Sequence, residues 1–157
     1  MGVKGGDIVY AKMGAVAALY HFVILHLREK GFKSLHYGAS RPFLKDGVLG
    51  FKRKYGAQIV DKDRRVFRVR VARYSDGAKA FLRNNPFISE IHGCFYANFF
   101  VDREADIDEK NLRSEIARYS MLGTTATRIY NLEKAAGALD AAQKPVELIC
   151  VEIGNGP

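Results

Sequence analysis

The chain has 157 residues, 48% of them apolar and 27% charged, which is enough to bury a core in one domain or two small subdomains. Its formal net charge of +8 is unevenly placed: residues 1–76 hold 16 Lys/Arg against 6 Asp/Glu, and residues 77–157 hold 9 against 11. A basic first half favours anionic partners, while two cysteines in unrelated contexts, Cys94 and Cys150, offer no CxxC pair or Cys/His cluster for a metal.

In chain order, Asp7–Ala11 follows Gly5-Gly6 and reads as an edge strand or extended entry. Lys12 to Lys30 reads as one helix, with Val16, Leu19, Tyr20, Val23 and Leu27 at helical spacing and Gly31 as its stop. The apolar run Met13–Leu27 is 15 residues long and is interrupted by His21 and His26. That is shorter than a membrane span requires, so a globular helix is expected. Both cysteines lie in apolar runs and read as buried thiols of a reducing, cytoplasmic compartment.

Phe32–Tyr37 reads as a strand ended by Gly38, and Asp46 as the cap of a short helix from Gly47 to Tyr55, closed by Gly56. Ala57–Val60 adds one more strand, and Asp61–Arg65 is polar enough for a linker or hairpin turn. Arg65–Arg73 alternates a basic face with an apolar one. Ser75 or Asp76 caps a helix reaching Asn84, which Asn85-Pro86 breaks. Ile91–Val101 is the strongest strand signal. Asp108 caps a helix to Met121, ended by Gly123; Thr124–Asn131 is strand, Leu132–Gln143 helix, and Val146–Ile153 a final strand after Pro145. The sum is a mixed α/β protein, with strand and helix alternating in both halves.

Chemistry concentrates in "YGASRPFLKDGVLGFKRKYG", Tyr37 to Gly56. Helix-start N–H groups hold anions, Gly47 and Gly50 allow close approach to backbone, and Lys52, Arg53 and Lys54 add charge. Against this, an acidic cap precedes the helix, and the P-loop pattern GxxxxGK[ST] is absent. Arg41 follows a strand end and can grip a carboxylate or phosphate in a fork, in a loop stiffened by Pro42. His36 titrates near neutrality and fits a general base, or equally a strand side chain packed under a helix. Arg65, Arg68, Arg70 and Arg73 form a stripe that fits RNA, although Phe67 falls on the other face and no RNP-type aromatic pattern accompanies it. No GxSxG elbow or EF-hand spacing is present.

The stretch "HYGASRPFLKDGVLGFKRKYGAQI" resembles the closing part of the acetyltransferase-like domain of FemAB and related GNAT-superfamily proteins. The matching features are Gly31 after a helix, Gly38 after a strand, Gly47 before a short helix, Phe51-Lys52, and Tyr55-Gly56. The resemblance implies N-acyl transfer from acetyl-CoA or aminoacyl-tRNA to a small-molecule or peptide amine. Carried over, the Phe51 backbone would steady an oxyanion and Lys52 would meet a phosphate or the acyl carbonyl. His36 and Tyr37, read from their own positions as candidate bases, join them in the expected catalytic set, and Arg41, Gly47 and Arg53 are the expected cofactor contacts. Lys12-Met13-Gly14-Ala15 departs from the pyrophosphate loop of such folds, roughly Arg/Gln-x-x-Gly-x-Gly/Ala. The expectation is therefore a partial GNAT-like segment over residues 1–60, a linker at 61–65, and a small α/β extension over 66–157. A homo-oligomer or a completing partner chain would supply the rest. The other two readings are an RNA- or polyanion-binding module and a non-catalytic interaction domain.

Overall fold

A computed structural model describes residues 8–60, 75–102, 109–133 and 150–153. The chain divides into two compact units, residues 1–38 and 39–157. The expected linker at 61–65 and the arginine stripe of 65–73 lie outside the described residues.

The first unit carries helices α1 (Ile8–Lys12) and α2 (Ala15–Glu29). Asp7–Ala11 was expected to be extended, but Ile8–Ala11 is helical. The turn closes when Met13 N–H donates to the Val9 carbonyl at 2.9 Å. The expected single helix is also split, because Gly14 adopts φ 88° between α1 and α2. In α2, Tyr20, Val23 and Leu27 are half-buried, whereas Val16, Leu19, Phe22 and Leu25 are exposed. No helix among the described residues is long and apolar enough to cross a membrane.

Phe32–Tyr37 forms no strand. A short run bounded by Gly31 and Gly38 can be extended, but a strand also needs a hydrogen-bonding neighbour, and among the described residues none pairs with this segment. Ala57–Val60 likewise is no full strand; it makes one bridge, Gln58 to Leu122. The strand–helix–strand order expected for the first sixty residues is thus replaced by helices and loops.

The sheet begins later, in the second unit. Its order is β1 (Phe87–Ile91), β2 (Cys94–Val101), β3 (Ala126–Asn131), β4 (Cys150–Ile153). β1 and β2 are an antiparallel hairpin turned by His92 and Gly93, at φ 51° and 79°. Positive φ at both central residues matches the twist of the strands, the usual geometry of two-residue hairpins. β2 and β3 run parallel, from Tyr96↔Ala126 to Val101↔Asn131. A parallel pair needs a crossover, and helix α5 (Glu109–Tyr119) lies in that connection. β4 returns antiparallel to β3. The fold is therefore α/β with a mixed sheet and flanking helices.

Side chains alternate between the two faces. Ala97 and Phe99 point to one, where they bury against Leu44, Ile88, Ile116 and Tyr119. Phe100 points to the other, against Leu82 of α4 (Asp76–Asn84), Leu132, Phe87 and Tyr130. Ser75 caps α4 by accepting from Ala78 N–H, and Arg83 near its end pairs with Asp102 beyond β2. Burying one such leucine or phenylalanine side chain contributes about 1.5–3 kcal/mol.

Candidate functional site

Residues 39–56 form one braced element against the sheet. The loop runs along the free edge of β1: Ile88 N–H donates to the Pro42 carbonyl at 2.8 Å, and Leu44 N–H to the Pro86 carbonyl at 2.8 Å. Phe43 bridges antiparallel to Phe87, and Leu44, 0% exposed, enters the core. The chain then turns into α3 (Gly47–Lys54). One oxygen of the Asp46 carboxylate accepts from Val48 N–H at 2.9 Å and Leu49 N–H at 3.0 Å. The start of α3, where Gly47 was expected to meet a cofactor, is thus already occupied by an anion of the protein itself.

Leu49 and Lys52 are three residues apart, so they share the inner face of α3, and both are 6% exposed. Lys52 Nζ donates to the Ala39 carbonyl at 3.0 Å. Burial pushes the ammonium below the ordinary lysine value, and the Asp46 carboxylate partly opposes that shift. Lys52 therefore ties the beginning of the element to its helix. Phe51 is the fifth residue of α3, so its N–H lies within the helical ladder, and its half-buried ring tilts against Tyr55 at 5.1 Å.

The lowered value has a sign that can be measured. The unfolded chain holds the Lys52 proton to higher pH than the folded one, so folding stability rises as pH climbs toward the ordinary lysine value of 10.5. Lys52→Met should remove that rise. Urea denaturation at pH 7 and 9.5 is expected to show a larger gain at the higher pH for the parent than for the variant. Equal gains would place the titration elsewhere.

The remaining expected site residues are divided between the two units. Arg41 is exposed in the loop, beside Ser40, whose hydroxyl is buried and has no hydrogen-bond partner. His36 and Tyr37 belong to the first unit. The exposed His36 accepts the Gly38 N–H at its Nδ1, 3.3 Å away, and Tyr37 stacks on Tyr20 at 5.8 Å.

Arg53, on the flank of α3, faces a recess. Its guanidinium carbon lies 5.4 Å from the Tyr119 ring centre, where Lys45 and Arg118 also converge, at 5.6 and 5.5 Å. Lys45 is paired with Glu115. Arg53, Ala57 and residues 120–124 line a hollow of about 440 Å³. A smaller one, of about 160 Å³, lies by Arg83 and Leu112, and there the arginine is held by Asp102. Tyr119, Lys45, Arg118 and the 120–124 segment were not singled out in the sequence. Gly123 was, as a helix stop, but its neighbour across the hollow is sixty-odd residues away in the chain. No family model, curated protein or solved structure matches the chain.

Proposed function

We propose that the chain is part of an N-acyltransferase of the GNAT-like, FemAB-related type, carrying an acyl group from acetyl-CoA or aminoacyl-tRNA to an amine. The observation that carries the reading is the Lys52 Nζ bond to the Ala39 carbonyl, which ties the loop of the resembling "HYGASRPFLKDGVLGFKRKYGAQI" stretch to its helix. Rigid placement is what acyl transfer demands. The amine attacks the acyl carbonyl, and donors fixed beforehand stabilise the negative charge as it develops. In this reading Lys52 is a positioning residue and Arg53 the cation that meets the donor. Further strands and helices, from another segment or a partner chain, complete the site.

Thermal melting of the full chain with acetyl-CoA, with aminoacyl-tRNA and with short RNA, in parallel, tests this. A ligand selective for the folded state raises the midpoint. A rise with acetyl-CoA or with the charged tRNA, but not with uncharged RNA, is expected. A rise with every RNA that fades steeply with salt would favour the polyanion-binding reading instead. That second reading draws on the convergence of Lys45, Arg53 and Arg118 about Tyr119.

A further inference from the structure

We propose that the hollow beside Arg53 is a binding site for a small amphiphilic anion: a carboxylate or phosphate ester that carries an apolar group. The site stands whether or not the chain transfers acyl groups.

Four observations meet there. First, Arg53 Nη1 is buried and has no hydrogen-bond partner. A guanidinium carries five donors in a planar fork, and a buried charged donor without an acceptor is costly. Second, the nearby carbonyls are engaged elsewhere. The Met121 carbonyl accepts the Thr124 hydroxyl at 2.8 Å, and the Leu122 carbonyl accepts Ile59 N–H at 2.9 Å. Third, the guanidinium carbon lies 5.4 Å from the centre of the Tyr119 ring, itself packed on the core. Lys45, paired with Glu115, and Arg118 also approach that ring, so three cations and one carboxylate gather around Tyr119. Fourth, Ala57, Met121 and Leu122 give the wall an apolar share. A forked cation suits the two oxygens of a carboxylate or phosphate, and the hollow, about 440 Å³ and open to solvent, has room for them.

The test titrates hexanoate and hexyl phosphate, separately, into the isotopically labelled full chain and follows backbone amide resonances. Inorganic phosphate and hexanol are the comparison probes. Saturable shifts are expected at Ser120–Thr124, with either hexyl anion binding about tenfold or more tightly than inorganic phosphate or hexanol. The stronger of the two anions identifies the headgroup. Arg53→Gln should weaken binding about tenfold, Arg53→Lys should restore only part of it, and the neighbouring Lys54→Gln should change it less than about twofold. Ala57→Leu leaves every charge in place and narrows the hollow, so it too should weaken binding. It also serves if Arg53→Gln fails to give a folded spectrum. Absence of saturable binding by either hexyl anion would overturn the proposal. So would equal losses in Arg53→Gln and Lys54→Gln, or inorganic phosphate binding as tightly as hexyl phosphate. None of the probes is an acyl donor, so failure here leaves the acyl-transfer reading to its own test.

Discussion

Gly123→Ala should cost the second unit about 3 kcal/mol of stability, read as a drop in the urea midpoint with an unchanged slope. Two effects add. Gly123 sits at φ 90°, a left-handed conformation that costs a residue with a Cβ roughly 1–2 kcal/mol. A Cβ there would also lie 2.6 Å from the Ile59 carbonyl oxygen and 2.9 Å from its nitrogen. Those atoms are backbone, and Ile59 N–H is already bonded to the Leu122 carbonyl, so neither segment can yield without losing that bond. Gly93 provides the comparison. Its φ is 79°, yet nothing lies within 4 Å of a Cβ built on it. Gly93→Ala should therefore carry the conformational part alone, roughly 1–2 kcal/mol. Equal losses in the two variants would show that the close approach at Ile59 relaxes freely.

Leu44→Ala is expected to be similarly severe, about 2–5 kcal/mol by the same measurement. Leu44 is wholly buried against Ala97 and Phe99. It is flanked by the two backbone bonds that bind the loop to the β1 edge, so the surroundings have little room to collapse into the cavity left behind. The effect also reaches the candidate site, because the loop carrying Leu44 leads directly into Asp46 and α3. A loss below about 1 kcal/mol would mean that the loop is held by its backbone bonds alone.

Elements whose signals are local were readable from the sequence. Asp46 before Gly47 and Ser75 before Asp76 announce helices, because a cap acts on N–H groups two or three residues away; both act as caps here. The aromatic and β-branched run ending at Val101 is a central strand, and residues 126–131 pair beside it. The hairpin was missed, since His92-Gly93 lay inside what read as one strand start. Phe32–Tyr37 differs for another reason: bounding glycines mark a segment's ends, whereas strand pairing depends on a distant segment.

The site divides in the same way. The charged helix was visible, but the roles of its neighbours were not. Lys52 and Arg53 are adjacent in sequence, and one helical step of about 100° turns the first inward to the Ala39 carbonyl and leaves the second on the hollow. Tyr119 and the 120–124 wall come to Arg53 through packing between α3 and the end of α5, which no local pattern encodes.

The two kinds of strand pairing impose an order on assembly. β1 and β2 meet through a two-residue turn, so they can zip in roughly 1–10 μs once the chain collapses. β2 and β3 touch only after the whole intervening stretch, α5 included, has been threaded back, and such non-local closure is slow. Until that closure, the edge of β2 that β3 covers in the folded chain, rich in aromatic side chains, has no strand on it.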